Sequence, residues 1–186
     1  MQELTKQEIH EKCIENTQLA LIQLNKGTIF VGTLSDADKS QLRSPDLVST
    51  INWQWGMNTY AGGAEDGILD ISLKLVDYAN PEQIQAVIIL KYDARRNELS
   101  ICMIENFLRG QKTDLDGWVF IVSLIYSTTF CEICNLDEVY IQHPIPEAVS
   151  YYRSYGFYFL AGNDSKMSAS IDDILASVRE KVDSLD

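Results

Sequence analysis

Positive charge is scarce in this chain. Fifteen Lys and Arg stand against 27 Asp and Glu in 186 residues, a formal net charge of −12. Such a surface repels phosphate backbones, so no nucleic-acid partner is expected. It attracts cationic partners instead, amines or Lys-rich proteins, though only weakly at physiological salt. Long hydrophobic runs are missing too. None approaches the roughly 20 residues a membrane span requires, so no membrane partner is expected. The start, MQELTKQEIHEK, lacks the apolar stretch and small-residue cleavage site of a secretory signal. Cysteine is sparse: Cys13, Cys102, Cys131 and Cys134 are too few for a disulfide framework in a chain this long. A reduced, cytoplasmic protein is the expectation. Internal repeats and low-complexity tracts are absent as well. What is present is apolar material for a core. Hydrophobic residues make up 46% and aromatics 10%, which excludes a disordered chain. The length suits one domain over residues 1–186.

Hydrophobic spacing predicts the order of elements. Residues 4–26 read as a helix, with Ile9, Cys13, Ala20 and Leu24 beside Ile14, Thr17 and Leu21, and Gly27 as the stop. Thr28–Leu34 reads as a short strand. Ser35–Gly67 holds Pro45, the Trp53-Gln54-Trp55 pair and a Gly-rich stretch, and reads as one short helix plus loops. Leu69, Ile71, Leu73 and Leu75 alternate with Asp70, Ser72 and Lys74, the pattern of a half-buried strand. Pro81 marks the turn after it. Gln85–Tyr92 (QAVIILKY) is apolar on both faces, as a central strand is. Asp93–Asn97 is a polar turn, and Glu98–Glu105 is the next strand. Trp118–Cys134 is apolar nearly all round, a buried helix packed on a sheet. Glu138–Gln142 is a strand. Pro146 suits the first turn of a helix over Glu147–Tyr155, closed by Gly156. Phe157–Leu160 is the final strand expected. Met167–Val182 reads as a terminal helix, with Ile171, Ile174, Leu175, Val178 and Val182 on one stripe. Strands followed by alternating strands and helices imply a mixed α/β or α+β sheet covered by helices.

This order, and the local residues, resemble the GCN5-related N-acetyltransferase superfamily, in a divergent form. The residues that carry the resemblance are Val139-Tyr140-Ile141-Gln142, then Pro146-Glu147-Ala148, then Tyr151-Tyr152-Arg153-Ser154-Tyr155-Gly156-Phe157. They match a late strand followed by a helix that ends in Tyr-x-x-x-Gly-Phe. Glu105 and Arg109-Gly110 fall where relatives carry a strand-end carboxylate and the start of a pyrophosphate loop. The resemblance covers roughly residues 65–160, most of a domain. It implies a mostly antiparallel mixed sheet flanked by helices, here with an extra C-terminal helix. The core would be 68–160, preceded by variable helices and loops over 1–67 and followed by the helix at 167–182. Acetyl-CoA or another acyl-CoA is implied as co-substrate. An amine, on a small molecule or a protein, is implied as acceptor. A homodimer is a further expectation, since paired sheets are common among relatives.

The implied site follows residue by residue. Met103 and Ile104 would offer backbone N–H groups to the thioester and pantetheine. Arg109, Gly110, Gln111, Lys112 and Gly117 would bind the pyrophosphate. Tyr152 would protonate the departing thiolate, and Glu105 or His143 would take the amine proton. Two departures stand out. Gln142, His143 and Pro144 replace the usual Asn after the late strand. Lys112 and Asp114 occupy positions where glycines normally let bare N–H groups approach phosphate. Either the loop is longer and Gly117 opens the helix, or the carboxylates turn away, or the fold no longer takes CoA. The last is the alternative reading, a non-catalytic binding or regulatory module.

Other constellations are weaker. Cys131-x-x-Cys134 is half a zinc site, and its nearest complement is His10-x-x-Cys13. Buried thiols near a helix end explain it as well, so no metal is expected. Trp53 and Trp55 anchor core or loop, or wall an acceptor pocket.

Overall fold

The computed structural model describes residues 5–60, 67–78 and 83–185. The expected turn at Pro81 and the Gly62-Gly63 stretch lie outside the described residues.

Capping boxes start the first two helices. Thr5 accepts from the Glu8 N–H, and the Glu8 carboxylate accepts the Thr5 N–H, which fixes the start of α1 (Lys6–Gln23). Ser35 and Asp38 do the same for α2 (Asp36–Leu42). The chain then builds β1 (Ile29–Thr33, between those helices), α3 (Trp53–Tyr60), β2 (Ile68–Asp77), β3 (Ala86–Asp93) and β4 (Glu98–Asn106). It continues as α4 (Trp118–Cys134), β5 (Glu138–Gln142), a 3-10 turn (Pro146–Ala148), α5 (Val149–Arg153), β6 (Tyr158–Leu160), β7 (Asn163–Ser170) and α6 (Ile171–Leu185).

The strands form one sheet in the order β1-β2-β3-β4-β5-β7-β6. Only β4 and β5 run parallel; every other neighbouring pair is antiparallel. This is the mixed, mostly antiparallel sheet with flanking helices and a C-terminal helix that the family resemblance implies. Alternation along β3 shows why it is central. Ala86, Ile88 and Leu90 point into the larger core cluster, and Val87 and Ile89 into the smaller one on the opposite face. The larger cluster gathers α1, α4 and α6. The smaller one is built from α2 and α3.

Within the larger core, α4 is buried on almost every side. Its buried hydroxyls bond their own helix: Ser123 to the Phe120 carbonyl, Ser127 to that of Ser123, and Thr128 to that of Leu124. Asn135, at φ 54°, caps its end in the left-handed region. At the outer side of β1 the Gln18 amide donates to the Ile29 carbonyl at 2.9 Å and accepts from the Val31 N–H at 3.0 Å. Among the described residues no helix is long and apolar enough to cross a membrane.

Several elements differ from the sequence expectation. Met167–Ser170 belongs to a strand, and the terminal helix starts at Ile171. Met167 and Ala169 face the core while Ser168 and Ser170 do not, a strand alternation. The spacing of Met167, Ile171 and Ile174 also fits a helical stripe, which hid the boundary. Phe157–Leu160 is therefore not the last strand. The helix over Glu147–Tyr155 is a 3-10 turn followed by a five-residue α-helix. Ser35–Gly67 holds two helices rather than one. On the polar face of β2, Lys74 pairs with Asp38 of α2 at 2.7 Å. Strands β1 and β7 extend the sheet beyond residues 68–160.

Candidate active site

The site begins with an irregularity in β4. Leu90 pairs with Ile101 but Ile89 pairs with Met103, so Cys102 is an extra residue, a β-bulge. Beside it, β4 and β5 pair from Leu99/Val139 to Ile101/Ile141 and then part. Strand β4 runs on to Asn106, whereas β5 stops at Gln142. Gln142 donates to Ser100 Oγ at 3.1 Å and clamps the last shared rungs. A cavity of about 900 Å³ opens where the strands separate.

Six of the predicted site residues meet there: Met103, Ile104 and Glu105 from β4, Arg109 after it, His143 after β5, and Tyr152 on α5. The others are placed elsewhere. Lys112 lines a second cavity of about 200 Å³ together with Thr113 and Asp114. Asp114 is turned away from the first cavity and accepts from Thr28 Oγ1 at 2.6 Å. Gln111 is exposed. Gly110, at φ 86°, has open space where a Cβ would stand, so backbone is accessible at that turn. Gly117, at φ 76°, precedes α4, and no side chain caps the helix there. Arg109, an open Gly110 and an uncapped helix start are groups that suit a pyrophosphate.

Glu105 is bound on both oxygens. Oε1 accepts the Thr50 N–H at 2.9 Å and the Thr50 hydroxyl at 3.1 Å. Oε2 accepts Ser49 Oγ at 2.5 Å and Trp53 Nε1 at 2.7 Å. Four donors engage the lone pairs of one carboxylate, which ties the Ser49–Trp53 segment to β4. Close packing adds a second tie: a Cβ on Gly56 would lie 1.8 Å from Met103 Sδ, so α3 crosses β4 only because residue 56 has no side chain. Together these ties set Trp55 and Tyr60 on the cavity wall. Trp53 and Trp55, two apart on a helix, point in different directions. Trp53 is buried in the smaller core and Trp55 is half exposed at the cavity.

His143 adopts φ 48°, unusual for a non-glycine residue, and its Nδ1 lies 3.1 Å from Tyr60 Oη. Tyr152 packs against Phe120 with ring centroids 5.3 Å apart. Burial, helped by neighbouring Tyr151, pushes the Tyr152 phenol up, so it keeps its proton at neutral pH. Neither Ser49, Thr50 nor Tyr60 was marked by any sequence motif. The Trp pair was the one signal for this wall.

The zinc-like cysteines are a different matter. Among the described residues no group of three His, Cys, Asp or Glu could hold a metal ion. His10 has both ring nitrogens engaged, Nδ1 with Tyr126 Oη at 2.6 Å and Nε2 with Thr33 Oγ1 at 2.9 Å. Burial pushes the Cys13 and Cys131 thiols up to about 12, so they stay protonated at neutral pH.

No family model matches this sequence, and no curated protein matches it significantly. Solved structures do resemble the fold. The AtaTR complex bound with AcCoA aligns at TM-score 0.55 and 16% identity, over 80% of this chain and 97% of that one. The KacTA–DNA complex aligns at TM-score 0.55 and 11% identity, over 82% and 99%. A spermidine N-acetyltransferase, the SpeG chimera from Vibrio cholerae and hSSAT, aligns at 0.50 and 13%, over 80% and 98%. With the bulged β4, the parted parallel pair and the cavity between them, the chain has the GCN5-related N-acetyltransferase fold in a divergent form.

Proposed function

We propose that this chain moves an acyl group, acetyl by default, from acyl-CoA to the nitrogen of an amine. The observation that carries the reading is the parting of β4 and β5 beyond Ile101/Ile141, with Tyr152 and His143 on the resulting cavity. Similarity to structures named as an acetyl-CoA complex and an N-acetyltransferase supports it.

The chain's own residues divide the work. Met103 and Ile104 lie past the last rung shared with β5, and the one of their backbone N–H groups that faces the gap orients and polarises the thioester carbonyl. Arg109 supplies positive charge for the pyrophosphate, with the Gly110 backbone and the uncapped start of α4. The amine nitrogen attacks the carbonyl carbon, the new C–N bond forms and the C–S bond breaks. Tyr152 Oη gives its proton to the departing thiolate. His143 takes the amine proton on Nε2, in the tautomer where Nδ1–H is donated to Tyr60. Solvent then restores both groups. Glu105 is an anchor in this scheme, because its lone pairs are already engaged.

Calorimetric titration with acetyl-CoA tests the reading. Binding in the micromolar to millimolar range is expected, and Arg109→Glu should weaken it by about tenfold or more. Tyr152→Phe should cut turnover by roughly a hundredfold and leave acetyl-CoA affinity nearly intact. A folded chain that binds no acetyl-CoA would end the transferase reading. It would favour the non-catalytic module instead, the reading to which Lys112 and Asp114, in place of the usual glycines, point.

A further inference from the structure

The acceptor wall is apolar in a chain that is acidic overall. Val48, Trp55 and Ile145 are 93%, 53% and 59% exposed, and all three line the cavity. Exposed apolar side chains gathered around a concavity mark a binding surface rather than a core. Deeper in, the Trp55 ring meets Tyr60 edge-on with centroids 5.8 Å apart, and Tyr60 lies 6.5 Å from the His143 ring. The exposed Trp55 face, backed by the buried Tyr60 ring, thus forms one side of the slot that ends at the transfer centre.

Charge on this wall is sparse. Among the described residues two carboxylates line the cavity, Glu105 and Glu147, against one guanidinium, Arg109. Glu105 already accepts four hydrogen bonds from Ser49, Thr50 and Trp53, so Glu147 on the 3-10 turn is left to meet a cation. An acceptor with several ammonium groups needs several free carboxylates in register with them. Size adds a limit: about 900 Å³ must hold the acyl-thioester arm as well as the acceptor.

We infer that the acceptor is a small primary monoamine carried on an aromatic or aliphatic body, which stacks against the exposed Trp55 ring while its nitrogen reaches the carbonyl between His143 and Tyr152. The inference rests on the acyl-transfer reading. Desolvation of the body against the aromatic wall supplies affinity, and a single free carboxylate among the described lining residues, Glu147, disfavours polycations.

The full chain with saturating acetyl-CoA is offered 2-phenylethylamine, spermidine and a Lys-containing peptide together, and products are resolved by mass spectrometry. 2-Phenylethylamine should be acetylated with at least roughly tenfold higher kcat/KM than either competitor. Trp55→Ala and Val48→Asp alter exposed residues and should reduce that preference by roughly tenfold while acetyl-CoA affinity stays put. Preference for spermidine or the peptide, or a preference untouched by both variants, overturns the inference and leaves acyl transfer standing. Acetyl-CoA binding without acetylation of any of the three also overturns it. If acetyl-CoA does not bind, the transfer reading falls separately. Direct calorimetry with 2-phenylethylamine then decides: binding lost in Trp55→Ala keeps an apolar amine site, and no binding removes it.

Discussion

The two faces of the sheet are held by different physics. On one, α1, α4 and α6 bury a continuous apolar cluster, and the hydroxyls caught inside it bond their own helix. On the other, α2 and α3 bury a smaller cluster around Trp53, Met57 and Tyr60, and the Glu105 carboxylate straps the approach to α3 onto β4. Burial scales with apolar area and resists change everywhere at once. A strap of four hydrogen bonds can be altered locally. The first face secures the fold, and the second holds the cavity wall that carries Trp55, which can change while the sheet stays intact.

Three substitutions and a pH series probe that contrast. The largest effect is expected on the apolar face. Phe157 is fully buried there, and Phe157→Ala should lower unfolding free energy by about 3–5 kcal/mol, read from urea denaturation. A loss below about 1 kcal/mol would mean that this face is not the stabilising one. Glu105→Gln should cost less, about 1–3 kcal/mol, because one oxygen becomes a donor facing donors. Its signature is local: tryptophan fluorescence and hydrogen exchange over residues 49–53 should change, while amides of α4 stay protected. Loosened α4 amides would erase the distinction between the faces. The smallest effect near neutral pH comes from His10, Cys13 and Cys131. Burial depresses the His10 pKa, so its contribution is present above its ordinary value near 6.5 and is lost as pH falls. Burial raises both thiols from 9.0 to about 12, so their contribution is full below pH 9 and is lost as pH rises toward 12. Thermal melts across pH should show both limbs. Cys13→Ala should flatten the alkaline one, and an unchanged alkaline limb would assign it to the tyrosines.

Much of the fold was written in local spacing. The double-sided apolar run Gln85–Tyr92, the alternation at Leu69–Leu75 and the all-round apolar Trp118–Cys134 each announce their burial. Met167–Ser170 did not, because Met167 stands at helical spacing from Ile171 and Ile174 of the following helix. The candidate site was legible where a motif carried it, as at Tyr152 and Arg109. It was illegible where it depended on distant partners. Nothing near Glu105 tells that donors some fifty residues earlier will occupy it. Nothing near Asp114 tells that Thr28 will draw it aside. Hydrogen-bond partners separated by that much chain are chosen by the fold, so only the folded chain displays them.

The Gln18 amide has a consequence beyond α1. Its carboxamide presents the same donor and acceptor as a backbone peptide unit, at the spacing a neighbouring strand would use. One terminus of the sheet is thereby already taken by the chain's own side chain. A second molecule seeking to add a strand at β1 must first evict that amide. The growing end of any ribbon-like assembly is blunted there before it starts.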